Sequence, residues 1–271
     1  MIAVSFPRRR VFGAIVWRDY LTKRSYRLAF ALDIFNGLLT LAVYYFISRT
    51  FARPDRAALY GAPSYFAFAT AGILVVAMVT SGSVELVRRL REEQVAGTLE
   101  TLVGNPVSPG ELCLGLVGFP FSFALVRTLV YFAIVSAVIG IDLRQISWIG
   151  LTLVLFVTTA VFAAIALAAA ATVLLFKRAE AFVGIVIGVL VVFSGSVFPL
   201  SSLPEWLQPL ARILPPQLAF NGVRNALFRG EGWALDAVAL LAIAAVGIPL
   251  AAAIFGRALR IAQRSGSLGE Y

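Results

Sequence analysis

The sequence predicts an all-α membrane protein with six transmembrane helices, and three observations carry that prediction. Of 271 residues, 60% are hydrophobic and 14% are charged. Soluble domains average about 45–50% and about 25%, and one soluble core of this size cannot hide the excess. Six apolar stretches reach the ~20 residues that cross ~30 Å of hydrocarbon at ~1.5 Å per residue. The basic residues, finally, divide unequally between the two sides that those stretches define.

The stretches run from Leu28 to Ile47, Tyr65 to Val84, Leu112 to Ile141, Ile149 to Phe176, Ala179 to Phe198 and Leu235 to Leu259. An even number puts both termini on one side. That side holds fifteen basic residues, in the cluster from Arg8 to Arg27, at Arg88, Arg89 and Arg91, at Lys177-Arg178, and at Arg257, Arg260 and Arg264; the other side holds seven. The bias predicts a multi-pass protein of the inner (cytoplasmic) membrane with both termini cytoplasmic. The net charge of +9 is thereby spent on topology, and nucleic acid is not expected as a partner. Arg127 falls inside span three.

Residues 1–27 carry an apolar run, Val11 to Trp17, stopped by Arg18-Asp19 with no small-residue cleavage site after it, so no cleaved signal peptide is read. Phe12, Ile15, Val16 and Tyr20 recur at helical offsets beside Arg10, Arg18, Lys23 and Arg24. This suits an interfacial helix lying in the headgroup plane, the plainer reading being a basic anchor ahead of span one. Without a Gly/Ser linker, low-complexity tract or repeat, the 271 residues read as one membrane domain.

Two connections are long. In the cytoplasmic one, 85–111, Glu85/Arg89, Arg88/Glu92 and Arg89/Glu93 stand four apart, so span two is expected to continue as a salt-bridged helix beyond the bilayer. Gly97 ends or bends it, and Thr98, Leu99, Glu100 and Leu102 fit a short second helix before Gly104-Asn105-Pro106. By periodicity alone an ordinary solvated loop is the simpler account. The external connection, 199–233, combines Leu203, Trp206, Leu207, Leu210 and Ile213 with five prolines. Its piece from Glu205 to Leu214 is too short to cross, and such pieces dip into a leaflet or lie on it. A lid over a pathway and a stabilising cap both fit.

Composition excludes much chemistry. With no histidine and one cysteine, Cys113, there is no His-based acid/base pair, no Ser-His or Cys-His triad, no His-ligated metal and no internal disulfide. No catalytic residue and no metal ligand is assigned. No G-x-x-x-x-G-K-[ST] loop is present, so ATP and Mg are not held by this chain.

The run Arg91-Glu92-Glu93-Gln94-Val95-Ala96-Gly97-Thr98-Leu99-Glu100-Thr101-Leu102, then Asn105-Pro106-Val107-Ser108-Pro109 and Glu111-Leu112, resembles the cytoplasmic signature of type-two ABC exporter permeases. These export polysaccharides, teichoic acids, lipo-oligosaccharides, drugs and ions. Leu203-Pro204-Glu205-Trp206-Leu207, Leu214-Pro215-Pro216 and Asn221-Gly222-Val223-Arg224 resemble that family's short external re-entrant helices between spans five and six. The resemblance covers nearly the whole chain and is almost silent on cargo; Arg127 departs from it. It implies a permease subunit of an ATP-driven exporter of an amphipathic cargo, a lipid-linked glycan or hydrophobic drug. The implied assembly pairs it with a second permease, identical or a close paralogue, and two copies of a cytosolic ABC ATPase that bind ATP and Mg. Residues 97–102 would form the coupling helix: Glu92 and Glu93 lead to the contact, Gly97 permits the turn, and Thr98, Leu99, Glu100 and Leu102 lie at the ATPase. The path is expected between permeases, with spans two and five facing it.

Four residues are candidates for that path, each with a packing alternative. Phe66, Phe68 and Phe193 offer ring surfaces for sugar or apolar cargo, or pack in core or lipid. Arg127, whose charge costs about 2.5–3.5 kcal/mol in mid-membrane, either ties span three to span one, with Asn36 the better-placed acceptor and Asp33 shallower, or attracts anionic cargo. Gly184 and Gly188 form a G-x-x-x-G in span five, for dimer packing or packing within the chain. A secondary transporter or channel without an ATPase is the alternative function; it would show more ionisable groups in the spans and discontinuous helices in two halves. A membrane enzyme would need converging carboxylates, which the sequence lacks.

Overall fold

The computed structural model describes residues 27–50, 59, 61–97, 109–139, 146–175, 184–186, 188–190 and 193–265. The N-terminal interfacial segment and most of the loop after Gly97 lie outside these. Among the described residues every regular element is helical: α1 (Arg27–Thr50), α2 (Tyr65–Val95), α3 (Pro109–Ile139), α4 (Trp148–Leu175), a 3-10 turn (Leu200–Ser202), α5 (Gln208–Ile213), α6 (Pro215–Phe228) and α7 (Trp233–Ser265). Of these, α2, α3, α4 and α7 are long and apolar enough to cross a membrane. α1, with 24 residues, matches the first apolar stretch.

α4 is the central helix and packs on α7, α2, α6 and α3. Its buried positions are large in the first half, at Leu151, Leu155 and Phe162, and mostly small in the second, at Ala166, Ala170 and Ala171, and small residues let helix backbones approach where lipid supplies no hydrophobic drive. Glycines do the same at tighter points: a Cβ on Gly150 would stand 2.5 Å from the Trp233 ring, and one on Gly82 2.7 Å from the Phe121 ring. The outward sides of α1 and α7 are apolar and exposed, through Leu32, Phe35 and Phe46 of α1 and Leu235, Val238 and Val246 of α7, as lipid-facing surfaces must be.

α2 begins where Ser64 caps it, the Oγ accepting from the Ala67 N–H at 3.2 Å, and it runs on for 31 residues, ~45 Å at 1.5 Å per residue. Its start and its end therefore lie at opposite ends of the bundle. α6 sits at the starting end, buried among α7, α4 and α2, with the Ala226 carbonyl accepting from the Ser147 N–H at 2.9 Å just before α4.

The fifth apolar stretch ends earlier than the hydropathy suggests. Residues 184–186 and 188–190 are helical, but from Phe193 the chain turns rather than continuing to Phe198. Gly195 there has φ +72°, a left-handed conformation that ends a helix and that only glycine adopts without cost.

Candidate functional site

Several of the expected site residues lie at the two ends of α2, which spans Tyr65–Val95. At the far end, Glu85 holds two arginines: Arg88 at 2.8 Å and Arg89 at 3.0 Å, while Arg88 also pairs with Glu92. Arg89 lies over the Phe119 ring of α3, 5.4 Å from its centroid. Arg88 is exposed in both of its pairs, whereas the Glu85–Arg89 pair is half-buried; exposed pairs stabilise a helix by only ~0.3–0.5 kcal/mol each. The other face of the same turns, Leu86, Val87 and Leu90, is buried in the core cluster that also holds Cys113 and Leu116 of α3.

α2 stops at Gly97. The Ala96 N–H donates to the Glu92 carbonyl at 2.9 Å and the Gly97 N–H to the Gln94 carbonyl at 3.1 Å. Gly97 has φ +68° and, among the described residues, nothing stands within 4 Å of where its Cβ would be. Backbone conformation, not space, therefore requires glycine here. Glu92 is exposed and Glu93 half-buried on the last turns. Thr98, Leu99, Glu100 and Leu102 lie outside the described residues.

Of the candidate path residues, Phe66 is half-buried and meets the Tyr45 ring of α1 edge-on at 5.4 Å. Phe68 is fully buried, so its ring faces protein rather than an open surface. Phe193 is exposed in the turn after the fifth stretch. Gly184 and Gly188 are both helical, and among the described residues nothing stands within 4 Å of an added Cβ on either.

Arg127 is half-buried deep in α3, where its guanidinium donates to the Ser81 Oγ of α2 at 2.8 Å. It lines a cavity of about 120 Å³ with Asn36, Gly37 and Thr40 of α1, Ala77 of α2 and Tyr131. The described hydrogen bond thus goes to α2, while the expected acceptor Asn36 shares the cavity. The Asp33 side chain lies outside the described residues. Among those residues, no three His, Cys, Asp or Glu side chains gather where they can hold a metal ion.

The starting end of α2 holds a residue whose importance the sequence reading missed. Arg224 of α6 is 1% exposed. It donates to the Gly195 carbonyl at 3.1 and 3.2 Å and to the Ser196 carbonyl at 2.6 Å, and its guanidinium stacks 3.6 Å from the Phe68 ring centroid. A signal was present: Gln217, Phe220, Arg224 and Leu227 fall on one helical face, so the periodicity that buries Phe220 buries Arg224 as well.

Compared with known proteins, the chain matches the family model described as ABC-2 type transporter over residues 10–228. A search of curated proteins finds no match.

Proposed function

The chain belongs to the ABC-2 type transporter family, and from that premise we propose that this membrane permease is driven by ATP hydrolysed in a separate cytosolic ABC ATPase and exports an amphipathic cargo, a lipid-linked glycan or hydrophobic drug. One observation supports the ATP-driven part most: α2 has 31 residues, about ten more than a ~30 Å hydrocarbon core requires. The surplus is cross-linked by Glu85, Arg88, Arg89 and Glu92 and ends at a left-handed glycine. A stiff rod projecting from the bilayer into a sharp turn is what a cytosolic motion needs to bias a membrane domain.

In this reading the Gly97 end is cytoplasmic, both termini lie on that side of the inner membrane, and α5 and α6 are external. Two ATPase copies bind ATP and Mg, each seated on residues 97–102 of one of two permeases. The Gly184/Gly188 face is where the second permease packs, and Phe66 and Phe193 face the path. Purification of the intact complex in mild detergent tests the reading: an ABC ATPase should accompany the chain, with hydrolysis that rises when cargo is supplied. Transport into vesicles at full rate with no ATPase present would instead make the protein a secondary transporter or channel.

Arg127 is assigned here to structure, holding α3 to α2 and α1 around the shared cavity. Arg127→Leu removes a charge that costs about 2.5–3.5 kcal/mol to insert, yet it is expected to loosen that three-helix corner and reduce recovery of the assembled complex. Size-exclusion of the detergent extract checks this. Normal assembly and ATPase binding with lost export would transfer Arg127 to recognition of an anionic cargo.

A further inference from the structure

The contacts around Arg224 join three parts of the chain that are remote in sequence. Phe68, under the guanidinium, belongs to the first turn of α2, whereas the accepting carbonyls of Gly195 and Ser196 belong to the turn that ends the fifth apolar stretch. Arg224 itself is on α6. Two further contacts fasten the same turn to α2. The Tyr65 hydroxyl donates to the Val197 carbonyl at 2.9 Å, and Gly72, one turn beyond Phe68, lies so close that a Cβ there would stand 1.8 Å from the Ser196 carbonyl oxygen. The turn rests on the α2 backbone.

A guanidinium buried to this degree is expensive to separate from its partners, because opening the joint leaves a desolvated cation behind. Stacking on a ring while donating along two edges to carbonyls also uses the planar fork of arginine, which lysine lacks. The joint therefore favours joint motion of its parts over separation.

We propose that Arg224 is a positioning residue that welds the start of α2 to the turn ending the fifth stretch, so that a push on α2 at Gly97 moves that turn as one body with it. The inference rests on the permease reading and adds a route to it: the projecting rod and the opposite end of the path are a single lever, and the 199–232 segment is carried by that lever rather than flapping over it.

The test uses the complex with its ATPase in lipid vesicles, with spin labels on exposed positions in a Cys113→Ala chain. One pair, Pro63→Cys with Ser201→Cys, spans the joint; a second, Ala96→Cys with Gln263→Cys, spans the Gly97 end. Addition of ATP and vanadate is expected to shift the second distance and leave the first narrow and unchanged. With Arg224→Lys added, the first distance should broaden and become nucleotide-dependent, while the second responds as before. Phe68→Leu, which removes the stack and keeps an apolar core residue, should act in the same direction and serves if Arg224→Lys does not fold. A joint distance that moves with nucleotide in the parent chain, or one that stays narrow in both variants, overturns the weld. A second pair that ignores nucleotide with the ATPase bound refutes the permease reading itself.

Discussion

A chain lacking Gly97–Leu102 is expected to insert and keep its helical body but to lose its ATPase. Nothing in the described bundle leans on the start of that segment: Gly97 is exposed with open space around its Cβ position, and the last buried aliphatic of α2 is Leu90. If the segment supplies the ATPase contact, the loss of even one anchor is worth about 2–4 kcal/mol, so affinity should fall by at least roughly 30-fold to several hundred-fold. Co-purification measures the loss, and an unchanged thermal unfolding midpoint in detergent shows that the body is intact. Gly97→Ala is the milder form. It forces an alanine toward φ +68° at a cost of about 1–2 kcal/mol, so it should redirect the chain leaving α2 and weaken coupling without abolishing binding. An ATPase that binds the deleted chain normally would remove the elbow from the mechanism.

Gly72→Ala is expected to be the most damaging single methyl in the protein. The added Cβ would stand 1.8 Å from the Ser196 carbonyl oxygen and 2.6 Å from its carbon, with an Arg224 nitrogen at 3.1 Å. Backbone atoms held by a buried guanidinium do not step aside as a side-chain tip does. The cost should reach the upper end of overpacking, about 3 kcal/mol, with Arg224 losing its carbonyl partners as the turn is pushed off. Gly247→Ala in α7 is the control. The nearest atom to a Cβ there, that of Ala164, stands at 3.6 Å, an ordinary contact, so alanine should be neutral or gain up to ~1 kcal/mol of helix propensity. Unfolding midpoints of the two variants in the same detergent decide the matter; equal midpoints would mean that α2 and the 193–198 turn do not touch.

Much of the bundle was legible because hydropathy and charge act over many residues at once. The expected spans Tyr65 to Val84, Leu112 to Ile141, Ile149 to Phe176 and Leu235 to Leu259 correspond to α2, α3, α4 and α7 within a few residues, apart from the long charged ends of α2 and α7. The extension of α2 was legible too, since Glu85/Arg89 and Arg88/Glu92 form the pairs that their spacing implies. The early end of the fifth stretch was not. Ser194, Gly195 and Ser196 are tolerated in an apolar window average, and what bends the chain there is the positive φ of Gly195 together with capture of its carbonyl by a residue 29 positions away.

Arg224 and Phe68 show the same boundary from the other side. From the sequence, Arg224 belongs to the external connection with no partner to be read for it, and Phe68 fits either a ring surface for cargo or a packed core. The structure buries both and stacks one on the other.

By itself, then, the sequence determined that this chain lives in a membrane, which stretches are apolar enough to cross it, and where the second of them gains an ion-paired helical extension. Those properties are sums over consecutive residues against the solvent, and no contact is needed to evaluate them. The tertiary structure alone decided which polar groups meet: Arg127 with Ser81, Arg224 with the carbonyls of Gly195 and Ser196, and the bare backbone of Gly72 with the turn above it. Such pairings depend on contacts of a few ångströms between segments far apart in the chain, and a buried guanidinium is tolerated only where the folded chain supplies acceptors that water no longer can.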